Sequence, residues 1–359
     1  MPVNVIMGVG CIEKNGALIA EYGAKALVVT DGVAAVKNGS LNDVQAVLAA
    51  RGVTYELFDR ISSNPTVESV REGAAAAKAF GAQMVIAIGG GSSMDAGKAI
   101  ALLACQGDVS DAQLLAGEYV KVKLPLITVP TTSGTGSEVT PFAMLTSEVL
   151  GKKINLNSTM TYSDVAFLDP RYTATAPRAV TVNTAIDAIS HAVEAIITVP
   201  SNPAIRLMAY EALRCAGRCL AGLRDDAMDD ELRGLMMYAC TLAGMAEGQT
   251  RTSGLHALTY PMTFYRHVPH GRAVGLIFAP YLAFTEKGDP ALVRSIWDAL
   301  GLSGVDEFRA YMDAFLGEKD TFTDEEIDIY ASEAAFSRNI RNSLVPPSKE
   351  DLVAIMNSI

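Results

Sequence analysis

Histidine is scarce in this chain, with four in 359 residues, and no two cysteines are spaced as a C-x-x-C pair. The five cysteines, Cys11, Cys105, Cys215, Cys219 and Cys240, are odd in number and lie in apolar stretches. That pattern excludes a disulfide framework and reads as reduced core residues. Cys215 and Cys219 stand at i, i+4, where packing on one helix face accounts for them. A basic excess is missing too: 29 Lys and Arg against 40 Asp and Glu leave a net charge of -11. Nothing here grips a nucleic-acid backbone or an anionic membrane surface. The opening MPVNVIMGVG has no basic segment followed by an apolar run, so no secretory signal is expected. The longest apolar run, Ala273 to Phe284, is too short to cross a bilayer and contains Pro280. Half of the residues are hydrophobic and only 19% are charged, which excludes disorder. The expectation is a soluble, cytoplasmic protein with enough chain for two ordinary cores.

Short β-branched runs alternate with helical patterns in the first half. Strands are predicted at Ala26–Thr30, Gln83–Ile88 and Leu124–Val129, with helices over Asn42–Arg51 and Val67–Phe80 between them, the signature of βαβ units around a mostly parallel sheet. Shorter strands are expected at Pro141–Leu145, Lys153–Leu156 and Ala166–Leu168. From about Arg178 helical periodicity takes over, for example at Val182–Ile197, Pro203–Leu223, Asp229–Gly248 and Leu292–Leu300. The pattern predicts an α/β domain over residues 1–175 and an all-α domain over 176–359, whose motifs mark the first as dinucleotide-binding and the second as metal-binding.

The strand at 83–88 runs into Gly89-Gly-Gly-Ser-Ser-Met-Asp-Ala-Gly-Lys98. This is neither a Walker A loop nor G-x-G-x-x-G, because Met94 stands where the third glycine belongs. Glycines at a strand-to-helix turn still let a backbone approach phosphate closely. The plain alternative is a tight turn capped by Ser93. A second loop, Pro130-Thr-Thr-Ser-Gly-Thr-Gly-Ser-Glu-Val-Thr140, reads alone as a polar connection. Two such loops at strand ends are better explained by one shared ligand. Asp31, at the end of the strand 26–30, could accept hydrogen bonds from ribose hydroxyls and repel a 2′-phosphate, favouring NAD over NADP. Its alternative is a turn residue before Gly32.

All four histidines, His191, His256, His267 and His270, fall in the helical half. Asp187 and His191 at i, i+4 share one helix face. One carboxylate with imidazoles from His191, His256 and His270 makes a set suited to Fe²⁺, Zn²⁺ or another divalent first-row ion.

Four ordered stretches, GGGSSMDAGK (89–98), PTTSGTGSEVT (130–140), NTAIDAISHAVE (183–194) and HALTYPMTFYRHVPHG (256–271), resemble the iron-containing (group III) alcohol dehydrogenase family. The likeness spans nearly the whole chain and implies that family's dehydroquinate synthase-like fold. It implies an NAD-dependent enzyme moving a hydride to or from a small aldehyde or primary alcohol, as a homo-oligomer with a dimer favoured. Asp187, His191, His256 and His270 would hold the metal, Fe²⁺ first and Zn²⁺ second. Gly90, Gly91, Ser92, Ser93 and Asp95 would line the pyrophosphate and nicotinamide-ribose region, with Thr131, Thr132 and Thr135 nearby. Asn64, Lys153 and Leu168 would complete the cofactor shell, and Asp31 matches the acid of NAD-preferring members.

Two positions depart from the family. Tyr260 replaces a further histidine four residues after the third ligand, and Glu247 replaces an apolar gating residue. The proton route is therefore open between Tyr260, His267 and a ribose hydroxyl with water, and His267 reads equally as a helix-end cation. Arg251, five residues before His256, reads either as a clamp for a carboxylate, phosphonate or sulfonate or as an ion-pair partner of Glu247 at i-4. The run Gln249–Ser253 with His256–Pro261 is similar to the branch that includes phosphonoacetaldehyde reductases. A metal-dependent lyase or polyol dehydrogenase of the dehydroquinate synthase-like group is the rival enzyme, but no Lys and Arg cluster for a sugar phosphate lies near His256. A non-catalytic nucleotide-binding regulator is disfavoured because all four candidate ligands are present.

Overall fold

The computed structural model describes all 359 residues, which divide into two compact units. The first comprises Met1–Thr132 and Gly136–Ala176, the second Ser133–Thr135 and Pro177–Ile359.

The first unit holds eight strands: β1 (Asn4–Met7), β2 (Lys25–Val29), β3 (Thr54–Phe58), β4 (Met84–Gly89), β5 (Leu126–Pro130), β6 (Phe142–Ser147), β7 (Lys152–Asn157) and β8 (Val165–Leu168). Six of them form a parallel sheet in the order β1-β8-β5-β4-β2-β3. The other two, β6 and β7, pair as an antiparallel hairpin. Side chains alternate between two buried faces, as the strand period of two requires. Leu27, Val29, Val85, Ala87 and Leu126 pack with Val70, Ala74 and Ile100. Ala26, Val28, Met84, Ile86, Ile88 and Ile127 pack with Leu41, Val44 and Leu48 on the opposite face. Helices cover both faces, which is why the inner strands read as unbroken apolar runs.

Two strands, β1 and β3, were not foreseen, and both lie at sheet edges. In β3 all residues but Phe58 are exposed, and β1 has no buried residue. An edge strand faces water on one side and carries too little apolar character to stand out in sequence. Leaving β2, the chain goes to β3 on one side and then returns to β4 on the other. The switch point of the sheet thus falls between β2 and β4, where open α/β sheets bind ligands at the carboxyl ends of their strands.

The second unit is helical, as the periodicity predicts, with only an isolated bridge between Thr198 and Ser343. At its centre lies the helix Arg178–Ile197, in which Ala185 to Ile197 are all buried. By length and composition this helix could cross a membrane, but 78% of its apolar window is enclosed by protein. The helices Pro203–Arg224, Asp230–Thr250 and His270–Gly288 pack around it. All five cysteines are free, and all but half-buried Cys105 are buried. The Cys219 thiol donates to the Cys215 carbonyl at 3.4 Å, a helix-internal bond.

Candidate metal centre and nucleotide site

In the first unit the glycine turn lies at the carboxyl end of β4, beside the switch point. Gly89 has φ 147°, a conformation that L side chains rarely adopt, and a Cβ there would stand 2.5 Å from Ser93 Oγ. The helix Gly91–Leu103 then begins at Gly90 with no side-chain cap, so Ser93 is not the cap its position suggested. Its first N–H groups and dipole form a ready site for phosphate. A Cβ on Gly90 would meet Thr132 Oγ1 at 3.2 Å, so the glycine keeps this cradle open beside β5. Thr131 N donates to the Gly89 carbonyl at 3.0 Å, tying the two loops together. An uncapped helix start with glycines at its mouth fits a pyrophosphate.

Asp31 follows β2, across the switch point from the glycines. Its Oδ1 accepts from Val33 N at 3.1 Å and Ala34 N at 3.0 Å, so one oxygen makes the turn. The other accepts no bond from the protein. Asn64 adopts φ 57°, unusual for a residue with a side chain. Its N–H donates to Ser92 Oγ at 3.4 Å and its Oδ1 accepts from Lys153 Nζ at 2.8 Å. Residues 64, 92 and 153 are thereby joined, and burial lowers the pKa of Lys153.

Three further candidates, Asp95, Leu168 and Thr135, are placed as follows. Asp95 accepts from Ser137 Oγ at 2.6 Å and Met144 N at 2.9 Å and lies 3.6 Å from fully buried Lys98. One oxygen ties Ser137, in the turn before β6, and the other ties Met144 of β6 to the helix Gly91–Leu103. Leu168 is wholly buried in β8. Thr135 groups with the second unit, where a Cβ on neighbouring Gly134 would stand 2.5 Å from Thr184 Cβ.

In the second unit three imidazoles converge on one carboxylate oxygen. Asp187 Oδ1 lies 3.6 Å from His191 Nε2, 3.5 Å from His256 Nε2 and 3.6 Å from His270 Nε2. These gaps are long for hydrogen bonds. Four donors about 2.1 Å from a tetrahedral ion would stand about 3.4 Å apart. Asp187 Oδ1 and His256 Nε2 are also buried without a hydrogen-bond partner, which an ion would supply. The tightest mutual set is Asp187, His256 and His270, within 4.8 Å of one another. His191 joins through Asp187, with its ring stacked 5.0 Å from that of His256. The donor set fits a divalent first-row ion. Burial works to raise the Asp187 pKa, but the neighbouring histidines outweigh it and hold the carboxyl below its usual range.

Local packing explains how residues this far apart in sequence meet. A Cβ on Gly271 would stand 1.9 Å from the Asn183 carbonyl oxygen, so only glycine lets the start of the helix His270–Gly288 reach the helix that carries Asp187. His256 sits in the first turn of the helix Gly254–Arg266, held by Glu194. Glu194 Oε1 accepts from Ser253 N at 2.7 Å and Ser253 Oγ at 2.6 Å, and Oε2 meets His256 Nδ1. Glu194 and Ser253 were not recognised from sequence. Glu194 lies seven residues after Asp187 and three after His191, on the same helix face, and that spacing was the available signal.

Tyr260 is 41% exposed and stacks on His270 at 6.1 Å. His267, by contrast, is an exposed helix C-cap with φ 53° and makes no ring contact with the cluster. That is the placement of a helix-end residue. The Glu247 side chain is buried and makes no hydrogen bond or ion pair, and its pKa is raised by burial against the pull of His191 and His256. Arg251 is exposed, and its backbone sits at φ 62°, ψ 176°, a region nearly confined to glycine. Asn342 Nδ2 clamps this segment, donating to the carbonyls of Thr250 and Thr252 at 2.8 Å each.

The family models for iron-containing alcohol dehydrogenase and for the C-terminal part of that family match residues 2–170 and 181–359. The chain belongs to the iron-containing alcohol dehydrogenase family. It is 33% identical over 307 residues to a choline dehydrogenase of Bacillus subtilis, covering 84% of this chain and 76% of that one. An iron-containing alcohol dehydrogenase of Thermotoga maritima superposes with a TM-score of 0.91 at 33% identity, covering 100% and 98% of the two chains. A sulfoacetaldehyde reductase of Bifidobacterium kashiwanohense, solved with NAD⁺, superposes with a TM-score of 0.90 at 26% identity, covering 99% and 96%.

Proposed function

We propose that this enzyme transfers a hydride between NAD(H) and a small aldehyde or primary alcohol, using residues 1–175 for the cofactor and 176–359 for the metal. The observation that carries the reading is the convergence of three imidazole nitrogens on Asp187 Oδ1 at 3.5–3.6 Å. Asp187, His191, His256 and His270 would hold a divalent ion, Fe²⁺ first and Zn²⁺ second, which supplies Lewis acidity toward a substrate oxygen when bound. NAD(H), when bound, supplies or accepts the hydride. The chain's own residues bind and orient. Gly90, Gly91, Ser92 and Ser93 offer backbone N–H groups to the pyrophosphate, and the unused oxygen of Asp31 offers an acceptor to ribose hydroxyls. Tyr260, stacked on His270, is the side chain best placed to hold or pass the substrate proton, with water or a ribose hydroxyl completing the path.

Arg251 supports a substrate with an anionic tail, since its guanidinium is exposed and unpaired and a sulfoacetaldehyde reductase shares the fold. Glu247 favours a second reading: a buried carboxylate without a partner suits a cationic tail, as in the substrate of the choline dehydrogenase relative. Values of kcat/KM for sulfoacetaldehyde, a trimethylammonium aldehyde and propanal, each with NADH, separate the two. Preference for sulfoacetaldehyde supports the first reading and preference for the cation the second. No NADH oxidation with any aldehyde, in a metal-loaded sample, would overturn the activity itself. The five free cysteines suit a cytoplasmic protein, and a homodimer without nucleic-acid or membrane partners completes the proposal.

A further inference from the structure

Glu194 is fully buried on the helix that carries Asp187 and His191. Ser253 is the N-cap of the helix Gly254–Arg266, yet its hydroxyl caps none of that helix's N–H groups. It donates instead to Glu194 Oε1, which also accepts from Ser253 N and, at 3.3 Å, from His256 N. A carboxylate from another helix therefore does the capping, where the helix dipole favours its charge. Three donors occupy Oε1, which leaves Oε2 facing His256 Nδ1.

We infer that Glu194 is the positioning residue of the metal centre: by accepting the Nδ1 proton it fixes His256 in the tautomer whose Nε2 lone pair faces Asp187 Oδ1. His256 Nε2 is the buried atom without a partner, 3.5 Å from that oxygen. The inference rests on the metal reading given above. It goes beyond that reading by assigning a residue that need not touch the ion and still decides whether the ion binds.

Glu194→Gln tests it. The amide oxygen takes the Oε1 place, because an NH₂ there would face three donors, and so the NH₂ is left against Nδ1. His256 must then accept at Nδ1 and carry its proton on Nε2, which closes that atom to a cation while shape and capping are kept. Full-length wild type and variant, loaded with Zn²⁺ and competed with a chelator, should differ by about 10–100-fold in affinity. The melting temperatures of the two metal-free proteins should stay within a few degrees. Equal affinity overturns the inference. If the variant does not fold, histidine ¹⁵N spectra of Zn²⁺-loaded wild type decide: a protonated Nδ1 on His256 is expected, and coordination through Nδ1 overturns the inference. A wild type that retains no metal overturns the metal reading itself and this inference with it.

Discussion

Glu247 and Arg251 are one helical turn apart in sequence, and their side chains form no ion pair. The only bond between them is the Arg251 N–H to the Glu247 carbonyl at 2.7 Å. The helix stops at Thr250, and the positive φ of Arg251 turns the chain off the helical path. The carboxylate is left inside, near His191 and His256, while the guanidinium stands in solvent. Neither side chain neutralises the other.

The metal centre should be visible in stability as well as turnover. Burial works to lower the His256 pKa, but the Glu194 charge, the nearby Asp187 carboxylate and the hydrogen bond to Glu194 outweigh it and hold the imidazole well above its ordinary 6.5. A raised histidine stabilises the metal-free fold fully below pH ~6.5, and that stability fades as pH climbs through the folded value. The same proton occupies the atom an ion needs, so metal affinity should rise over that window. Melting curves with and without Zn²⁺ between pH 6 and 9 should diverge as pH increases. At free metal a hundred times Kd the gain is about 2.7 kcal/mol. His256→Ala should lose most of it, and an undiminished gain would show that the ion binds elsewhere.

Asp31 should set the choice of dinucleotide. Its Oδ1 is spent on Val33 N and Ala34 N, so only the second oxygen is available to a ribose. Asp31→Ser keeps an acceptor for the turn and removes the charge, leaving the melting point little changed. The ratio of kcat/KM for NADH over NADPH should fall by about tenfold or more, since facing like charges costs several kcal/mol. An unchanged ratio would mean that the carboxylate serves only the turn.

What could be read in sequence follows from how locally each feature is encoded. The buried strands β2, β4 and β5 announce themselves because every side chain is apolar, whereas the edge strands β1 and β3 do not. Asp187 and His191 declare one face of one helix. His256 and His270 enter as candidates because the chain has so few histidines and all lie in the helical half, but the close approach at Gly271 that brings His270 to Asp187 is a tertiary event that no local pattern encodes. Arg251 looked like a helical partner of Glu247 only on the assumption that the helix continued. Nothing local says that it ends at Thr250, held by Asn342 from ninety-two residues away.

Thiol reactivity should single out one cysteine. Burial pushes the Cys11 and Cys219 thiols up to about 12, so both stay protonated and shielded at pH 8. Cys215 and Cys240 are buried as well, and Cys105 alone is half-buried. Titration with an aromatic disulfide reagent at pH 8 should show one thiol reacting well ahead of the others in the native protein and five in denaturant. Two or more equally fast native thiols would contradict this order.

Arg251 should trade stability for substrate recognition. Holding a non-glycine residue at φ 62°, ψ 176° costs about 1–3 kcal/mol. Arg251→Gly removes that strain but adds about 0.5–1 kcal/mol of backbone entropy loss on folding. The net gain should be about 1 kcal/mol, a rise in Tm of about 1–2 °C for a chain of this length. Arg251→Met keeps the strain and should show no such rise. If the guanidinium reads an anionic tail, both variants lose a charge-assisted hydrogen bond of about 1.5–3 kcal/mol, or about one to two factors of ten in kcat/KM for sulfoacetaldehyde. Propanal has no tail to lose and should change less than about twofold by the same accounting. The pair of variants separates backbone from side chain: a shared loss on the charged substrate with a Tm rise in glycine alone assigns strain to the fold and recognition to the guanidinium. Equal effects on both aldehydes would instead mean that the arginine supports the segment before His256 and does not touch substrate.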